Sequence, residues 1–405
     1  MKNRSLRPLI VLGLICVSLA VSSSSIGTID SEAAVTVVAG AGDIAGSGSG
    51  DSQTAAIING MPSNTQIYTL GDNVYPDGTL SQFNSYYEPT WGQFKTRTRP
   101  VIGNHDSHVS GAPGYFDYWE SAGVFAGDRG QGWYAYNAGD WRIYALNSEC
   151  NGTSYDFCDH NAQKAWLQAD LAANPRTCVL AMWHRPVIAP SSTHTDDEGN
   201  FSDPGGNNVW QILYDAGADL VLQGHDHIYT RFSRYNRNAN GPDAQGMRHF
   251  IVGTGGRGLY DINSSPPGME ASQDTTFGVL KLTLNPTSYS WQFLSVSGGS
   301  YSDSGSDSCR GQAPLDSDGD GWSNSGEAVI GTNPNAACGT NAWPADIDDD
   351  SFIDTTEIGL LTNVFGGSVP AAAPPRYDIG PDPPDGFVDT GDLGRMTGLF
   401  GQGCG

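Results

Sequence analysis

Five short apolar runs in this sequence each end on residue types that bind metal ions. The five endings are Asp43, Gly71-Asp72-Asn73-Val74-Tyr75, Gly103-Asn104-His105-Asp106, His184, and Gly224-His225-Asp226-His227. In open α/β sheets, ligands bind beyond the carboxyl ends of the strands, so residues from several strand ends can share one site. Together the five endings predict a single constellation of metal ligands.

Each ending taken alone has a plainer explanation. A Gly-Asp pair after a strand is commonly a turn, and a single histidine is more often a surface or core residue than a ligand. His225 and His227 would face opposite sides of an extended strand, so a turn or bulge must bring their rings together. Only the agreement of all five endings favours a metal site over five unrelated turns.

The residue types at these endings suit a mixed site for two ions. Carboxylate, amide and phenol oxygens favour hard ions, whereas imidazole suits Zn, Fe, Mn or Ni. Two ions about 3.5–4 Å apart can clamp a phosphate and generate hydroxide between them. One carboxylate must then bridge the ions, and the chemistry predicted is hydrolysis of a phosphate ester.

The ordered set D…GDxxY…GNH[DE]…H…GHxH resembles the metallophosphoesterases, specifically the purple acid phosphatase branch, over roughly residues 35–300. The resemblance implies an α/β fold, a layered αββα sandwich, for a catalytic domain over 35–296. It also implies two ligand sets that share Asp72 as the bridging carboxylate. The first ion is expected to bind Asp43, Asp72, Tyr75 and His227, and the second Asp72, Asn104, His184 and His225.

The same resemblance implies roles for three further groups. His105 matches the family's non-ligand histidine, which contacts the substrate phosphate and stabilises charge or delivers a proton to the leaving group. His194 lies where this branch often has another active-site histidine, and an exposed loop residue is the alternative. Tyr75 implies Fe(III) paired with Zn, Mn or Fe(II), whereas a Tyr75 that only packs would leave two divalent ions.

Four residues beside the ligands carry smaller expectations. Ala45 stands where the family's first motif usually has Gly, and Ala181 stands where its fourth motif often has Val. Neither change removes a ligand. Asp106 and Asp226 are expected to orient imidazoles, with plain turn residues as the alternative.

The elements that would position these residues follow from apolar periodicity. Strands are predicted over 35–39, 66–70, 99–102, 141–146, 178–183, 218–223, 249–253 and 278–284. Helices are predicted over 161–174, which has apolar residues at helical spacing, and over 208–217, which ends on Gly. Strands interleaved with helices predict a layered α/β domain. A Ser/Gly linker is predicted over 297–314.

The segment after this linker has the spacing of calcium-binding loops. The first loop would use Asp316, Asp318, Asp320, the Trp322 carbonyl, Asn324 and Glu327. The second would use Asp346, Asp348, Asp350, Phe352, Asp354 and Glu357, with Ser351 in place of the usual Gly. A looser third copy ends on Asp385, Asp389 and Asp392.

Two further resemblances concern this tail. Residues 315–340 resemble a thrombospondin type 3 repeat, and 345–405, with two loop-helix copies, resemble a dockerin that docks onto a cohesin-type scaffold. The alternatives are an acidic spacer that binds Ca2+ but no partner, and a merely solvated tail. The tail from Cys309 onward has 15 Asp and Glu against 3 Lys and Arg, half of the net charge of −24.

The N-terminus has the pattern of a secretion signal over 1–20, with about residue 34 as its outer limit. Lys2, Arg4 and Arg7 precede an apolar run that is short for a membrane span, and a small-x-small cleavage pattern follows. No other candidate span occurs in the sequence, and the mature chain is expected to be secreted and extracellular or part of a cell-surface complex. Six cysteines remain after Cys16, which predicts disulfides; Cys150 and Cys158 are the favoured pair.

Three functions are compatible with these observations. The first is a secreted phosphatase acting on small phosphate monoesters, and the second is a phosphodiesterase or nucleotide hydrolase on the same site. The third is a calcium-dependent scaffold whose N-terminal domain is not catalytic, although all seven metal-ligand positions are filled. The acidic balance of the chain argues against binding a nucleic-acid backbone.

Overall fold

We describe a computed structural model of the chain, which covers residues 35–150, 158–191, 193–194, 208–310, 318–322, 324–380, 384 and 386–404. The predicted signal peptide lies outside the described residues. Among the residues that are described, no helix is long and apolar enough to cross a membrane.

Thirteen strands and eight α-helices are found in the described part of the chain. The strands are β1 Thr36–Ala41, β2 Gln66–Thr69, β3 Thr98–Arg99, β4 Tyr134–Ala138, β5 Trp141–Ala145, β6 Cys178–Trp183, β7 Leu220–Gln223, β8 Tyr229–Tyr235, β9 Met247–Val252, β10 Met269–Gln273, β11 Gly278–Asn285, β12 Ser288–Ser295 and β13 Ser302–Ser308. The helices are α1 Asp51–Asn59, α2 Leu80–Gln82, α3 Pro113–Ser121, α4 His160–Ala173, α5 Val209–Asp215, α6 Asn324–Ile330, α7 Thr355–Thr362 and α8 Thr390–Gly398.

The strands form two sheets. The six-stranded sheet has the order β13-β12-β11-β1-β2-β3, and the seven-stranded sheet has the order β10-β8-β9-β7-β6-β5-β4. Strands β1, β2 and β3 run parallel, as do β5, β6, β7 and β9. Four of the strands predicted to carry ligands, β1, β2, β6 and β7, are therefore interior strands with parallel neighbours.

Two hydrophobic clusters show how the layers pack. Alternate residues of β6 enter different clusters: Leu180 and Met182 join the one between the sheets, and Val179, Ala181 and Trp183 join the outer one. This alternation follows from the two-residue period of a strand. The outer cluster lies under α4 and α5, and α1 packs on the six-stranded sheet. The predicted αββα sandwich is confirmed.

The predicted elements agree with the observed ones with one main exception. Helices α4 and α5 begin within a residue of the predicted starts. The predicted strand 99–102 is reduced to β3, because Pro100 has no N–H to continue a ladder. Beyond it, the Val101 N–H donates to the side-chain hydroxyl of Thr69 in β2 at 3.2 Å instead of to a backbone carbonyl.

The predicted Ser/Gly linker over 297–314 is wrong for much of its length. Residues 302–308 form β13, which pairs antiparallel with β12 at the edge of the six-stranded sheet. Its Asp303 and Asp307 reach across to the other sheet, where they form ion pairs with Arg231 and Arg234 at 2.8 Å. Specific cross-sheet partners give this low-complexity segment a defined strand.

Three disulfides are present among the described cysteines. Cys150 pairs with Cys158 as predicted, Cys178 with Cys309, and Cys338 with Cys404. The second bond joins the start of β6 to the residue after β13. It therefore fixes the end of the sandwich domain covalently to its seven-stranded sheet.

The described part of the tail has one hydrophobic core of its own. Trp322 and Ile330, from the first predicted module, pack in the same cluster as Ile353, Leu361 and other residues of the second. The indole of Trp322 is buried and donates to the Ile379 carbonyl at 2.8 Å. The predicted division between 315–340 and 345–405 therefore does not separate two cores.

Candidate metal centre

Tight backbone turns direct the ligand-type side chains at the strand ends inward. Asp43 follows β1 with φ 60°, Asp72 follows β2 with φ 49°, and His225 follows β7 with φ 67°. All three are non-glycine residues in the left-handed region, where strain is typical of functional sites. Backbone hydrogen bonds from Asp43 and Ile44 to the β2 loop, at 3.1 and 3.0 Å, hold two of these turns together.

The first predicted ligand set converges on three contacts. The hydroxyl of Tyr75 donates to Asp43 Oδ1 at 2.9 Å and lies 3.1 Å from His227 Nε2. Asp43 Oδ1 is itself 3.3 Å from His227 Nε2. Three different ligand atoms thus point at one small volume, as a shared ion requires.

The second predicted set is equally compact. The ligand atoms of Asp72, His184 and His225 all lie within 4.8 Å of one another, and all three residues are buried. Asn104 Oδ1 lies 3.0 Å from His184 Nε2, and His225 Nδ1 lies 3.1 Å from the same nitrogen. A turn at His225 therefore separates the two histidines, as expected. The ring of His225 contacts His184, and the ring of His227 contacts Tyr75.

Carbonyl acceptors fix the orientation of two imidazoles. His184 Nδ1 lies 2.7 Å from the Leu70 carbonyl, and His227 Nδ1 lies 2.7 Å from the Gly258 carbonyl. A carbonyl can only accept, so both Nδ1 atoms carry hydrogen and both Nε2 atoms can bind a metal. This second hydrogen bond is typical of metal-binding histidines, and the donor set fits a mixed two-ion site.

The electrostatics of the site also fit bound cations. Burial raises the pKa of Asp72, but the facing His184 imidazole, with His105 and His225, holds it well below its usual range. Burial lowers the pKa of His184, but Asp72 and Asp43 raise it to about 10. Buried negative charge is thus balanced by protons on imidazoles, and these are the protons that metal binding displaces.

Tyr75 is protonated in the same environment. Burial raises the pKa of its phenol well above 10, and the Asp43 and Asp72 carboxylates raise it further. A phenolate at this position therefore needs a strong positive charge beside the hydroxyl. A bound ion of high charge would supply it.

His105 lies at the mouth of the site. Its backbone N–H donates to Asp72 Oδ1 at 2.8 Å, and its Nδ1 lies 2.6 Å from the Pro76 carbonyl. Because that carbonyl must accept, Nε2 is the ring nitrogen left for a ligand, and it lies 3.9 Å from Asp72 Oδ2. The ring is partly exposed, so a ligand can reach Nε2.

The predictions that Asp106 and Asp226 orient imidazoles are wrong. Asp106 is buried and accepts from the Asn73 side chain at 2.8 Å and from the Gly103 N–H at 3.0 Å. Asp226 accepts from the Ser191 hydroxyl and, at 3.2 Å, from the Ser191 N–H. Both carboxylates therefore tie loops together, through side-chain and backbone donors of Asn73, Gly103 and Ser191.

His194 lies beside the second ligand set. Its ring centroid is 4.0 Å from that of His225 and 5.4 Å from that of Tyr260. Tyr260 in turn stacks on His227, with centroids 4.0 Å apart and planes at 10°. The two rings form part of the wall around the site.

Sequence reasoning did not single out four other residues at the site. Arg185 forms a buried ion pair with Glu149, with Nε 3.0 Å from Oε1, and its Nη1 lies 3.3 Å from His225 Nε2. Tyr260 and Arg257 belong to the glycine-rich stretch that follows β9. That stretch is a sixth strand ending, so the strand-end argument would have found it, whereas nothing in the sequence pointed to Glu149.

Acidic clusters also form in the tail. Asp318, Asp320 and Glu327 make one cluster, and Asp346, Asp348 and Glu357 make another, each with carboxylate oxygens within 4.8 Å of one another. Each cluster includes a buried carboxylate oxygen that accepts no hydrogen bond, Asp318 Oδ2 in the first and Glu357 Oε1 in the second. Such oxygens suit Ca2+.

Other predicted calcium ligands accept hydrogen bonds from backbone N–H groups. Asp354 and Asp389 are helix N-caps, accepting from the N–H groups of Thr356 and Gly391. Asp392 is buried and accepts from the Gly380 N–H, and near it Asp378, not predicted, accepts from the Gly386 N–H. Asp316 and Asp385 lie outside the described residues, as does the side chain of Asn324.

The other residues of the second predicted calcium loop form a tight turn. Asp350 accepts from the Phe352 N–H at 2.9 Å, and the Phe352 side chain is exposed. Ser351 adopts φ 73°, where the equivalent Gly321 and Gly386 have 94° and 92°. The replacement of glycine therefore keeps the turn, with backbone strain.

Residues 37–229 match the family described as calcineurin-like phosphoesterase, and this segment contains all seven predicted metal ligands of the sandwich domain. The chain is similar to Probable inactive purple acid phosphatase 1 of Arabidopsis thaliana, with 27% identity over 57% of this chain and 41% of that protein. It is similar to Probable purple acid phosphatase 20 of the same plant, with 26% identity over 53% of each.

A solved structure has the same fold. The chain is similar to purple acid phosphatase PPD1 from yellow lupin, Lupinus luteus, with a TM-score of 0.52, 20% identity, and coverage of 68% of this chain and 54% of that one. The chain spans about half, or less, of the length of these two curated relatives.

Proposed function

Starting from a calcineurin-like phosphoesterase domain with purple acid phosphatase homologues, we propose that this protein hydrolyses phosphate monoesters at a site for two metal ions. The observation that carries the proposal is the convergence of two ligand groups from four strand ends. Asp72 lies with His184 and His225 in one group, and Asp43 lies with Tyr75 and His227 in the other.

The residues fit two ions that differ in kind. Asp43, Asp72, Tyr75 and His227 would hold the first ion, and Asp72, Asn104, His184 and His225 the second. The Tyr75 phenol favours Fe(III) at the first position, with Zn, Mn or Fe(II) at the second. When bound, the ions would polarise the ester and activate a water nucleophile.

The chain's own groups would bind and protonate the substrate. His105 is held by two hydrogen bonds that leave Nε2 partly exposed and available to a ligand, so a protonated Nε2 can donate to the phosphate or to the leaving oxygen. His194, beside His225 and Tyr260, is proposed as a second donor to the substrate.

The test is substitution of the shared carboxylate. Asp72→Asn keeps the side-chain volume, and we expect hydrolysis of p-nitrophenyl phosphate to fall roughly a thousandfold or more, since Lewis-acid activation contributes several kcal/mol. Asp215→Asn is the control, because Asp215 forms a surface ion pair with Arg237 at 2.7 Å. Full activity of Asp72→Asn, with its two metals retained, would reject this site.

Two alternatives remain distinguishable from this proposal. Faster turnover of bis-p-nitrophenyl phosphate than of the monoester would assign the site to a phosphodiesterase or nucleotide hydrolase. A metal-loaded wild-type protein that hydrolyses neither would assign the domain to a non-catalytic scaffold role. The similarity to a protein named as a probable inactive phosphatase makes this second arm worth measuring.

The proposal extends to the tail and to localisation. The acidic clusters and the buried oxygens of Asp318 and Glu357 support Ca2+ binding, and the paired loop-helix units support docking to a cohesin-type scaffold. Disulfides and the N-terminal sequence support secretion. Calorimetric titration with Ca2+ tests calcium binding by the tail. Mass analysis of the mature N-terminus of protein from the growth medium tests secretion.

A further inference from the structure

The glycine-rich stretch 253–260 after β9 is fixed rigidly against the candidate metal centre. The N–H of Gly255 donates to the Gly42 carbonyl at 2.9 Å, and the N–H of Arg257 donates to the Asp43 carbonyl at 2.8 Å. The Gly258 carbonyl accepts from His227 Nδ1, and the Tyr260 N–H donates to the His227 carbonyl at 3.1 Å. Arg257 is therefore positioned by the same bonds that position the ligands.

The guanidinium of Arg257 lies over one face of the Tyr75 ring. Its central carbon is 4.8 Å from the Tyr75 ring centroid, a cation–π distance. The hydroxyl of that ring points at Asp43 and His227. The guanidinium thus lies against the face of the ring, whereas the proposed ligand atoms lie at its hydroxyl.

Among the residues that the structure describes, no carboxylate balances the cation of Arg257. It forms no ion pair within that part of the chain, whereas Arg231, Arg234 and Arg248 of the same domain all have acidic partners. Its side chain is only partly buried.

We propose that Arg257 binds a second anionic group on the substrate, carried by the leaving group beyond the reacting phosphate. A planar guanidinium matches phosphate and carboxylate oxygens with two parallel hydrogen bonds. The position of Arg257 beside Tyr75, with a side chain that is only partly buried, suits an anion that lies beyond the reacting phosphate. The preferred substrates are therefore phosphate esters or anhydrides with a charged leaving group. This inference rests on the proposed function and adds the substrate class.

The test compares three substrates of the metal-loaded full chain: p-nitrophenyl phosphate, 3-phosphoglycerate and ADP. For Arg257→Ala we expect kcat/KM on the two charged substrates to fall roughly ten- to hundredfold more than on p-nitrophenyl phosphate, mainly through KM, as befits a charge-assisted hydrogen bond. Arg257→Lys should recover part of the loss. Arg237→Ala, at an exposed ion pair, should change none of the three.

The competing explanation is that Arg257 only offsets the charge of the buried ligands. In that case kcat/KM would fall equally on all three substrates and the metal content would fall with it, and that result overturns the proposal. An unchanged kcat/KM on all three substrates overturns it as well. A calorimetric arm is independent of turnover: pyrophosphate binding should weaken more than orthophosphate binding in Arg257→Ala. If the wild type hydrolyses none of the substrates, the proposed function is rejected. The calorimetric comparison of pyrophosphate and orthophosphate binding still tests the role of Arg257.

Discussion

At the scale of single residues, the candidate site depends on close approach between backbone and ligand. Gly71, just before Asp72, has φ +85° and packs against His184 so closely that an added Cβ would lie 2.4 Å from its Nδ1. Only glycine fits this contact. The sequence motif GD therefore requires its glycine for a reason that turn chemistry alone does not supply.

Gly71→Ala should displace His184 and disable the second ion position. We expect a large loss of phosphatase activity and of the divalent metal, both measured on protein reconstituted with iron and zinc. Gly48→Ala is a matched control, because Gly48 also has positive φ, +75°, but an added Cβ meets no atom within 4 Å. Equal metal content and activity in the two variants would contradict the steric argument.

Tyr75→Phe tests the proposed Fe(III) ligand. Removal of the hydroxyl that contacts Asp43 and His227 should abolish a visible absorption band of the iron-loaded protein and lower its iron content. Tyr260→Phe is the control, since its ring lies against His227 without being a proposed ligand. A wild type that is active, colourless and free of iron would show instead that the site uses two divalent ions.

At the scale of elements, β9 carries a buried histidine that the proposed reaction does not use. His249 stacks on Phe232 with ring centroids 4.2 Å apart, and within the described part of the chain neither of its ring nitrogens has a hydrogen-bond partner. Burial, with a smaller effect of Arg248, lowers its pKa to about 3. The sheet therefore holds this imidazole neutral, although an unfolded chain protonates it below about pH 6.5.

The contribution of His249 to the stability of the fold should consequently fall with acidification. Between about pH 6.5 and 3 the unfolded His249 binds a proton and the folded one does not, so each pH unit costs about 1.4 kcal/mol of unfolding free energy. His249→Phe, with His249→Leu as a smaller second variant, should flatten this slope in urea unfolding measured from about pH 7.5 to about pH 4.5. An unchanged slope in both variants would refute the assignment.

At the scale of the whole molecule, the tail and the sandwich domain have separate hydrophobic cores. The tail core contains Trp322, Ile353 and Leu361, and none of its described residues belongs to the two sandwich clusters. Its acidic clusters lie at the start of α6 and α7, so calcium would stabilise these helices through the loops. The candidate metal centre is built entirely from the other domain.

Ca2+ should therefore raise one unfolding transition and leave the other in place. At a hundredfold excess over Kd, each occupied site adds about 2.7 kcal/mol to tail stability, which scanning calorimetry of the full chain detects. Glu357→Gln should reduce this shift, whereas Glu120→Gln, at an exposed ion pair with Arg129, should not. A calcium shift of phosphatase activity or of both transitions would contradict the separation.

Local sequence pattern is enough to predict the fold class and to propose the chemistry. Ligand-type residues at five strand ends, their order, and the two-residue alternation of apolar strands are all visible in the sequence. Asp72, His184 and His227 can therefore be predicted as metal ligands from the residues alone. The disulfide Cys150–Cys158 is predictable as well, because a short loop leaves its ends close together.

Long-range packing, in contrast, assigns the roles of the polar residues beyond the ligands. Asp106 and Asp226 stand close to proposed ligands in sequence, yet they accept hydrogen bonds from Asn73 and Ser191, residues of loops distant in the chain. Residues 302–308 form β13 because the opposite sheet supplies arginine partners. Arg257 follows β9 of one sheet and Tyr75, 182 residues away, follows β2 of the other, so their contact depends on packing of the two sheets, which leaves no local signature.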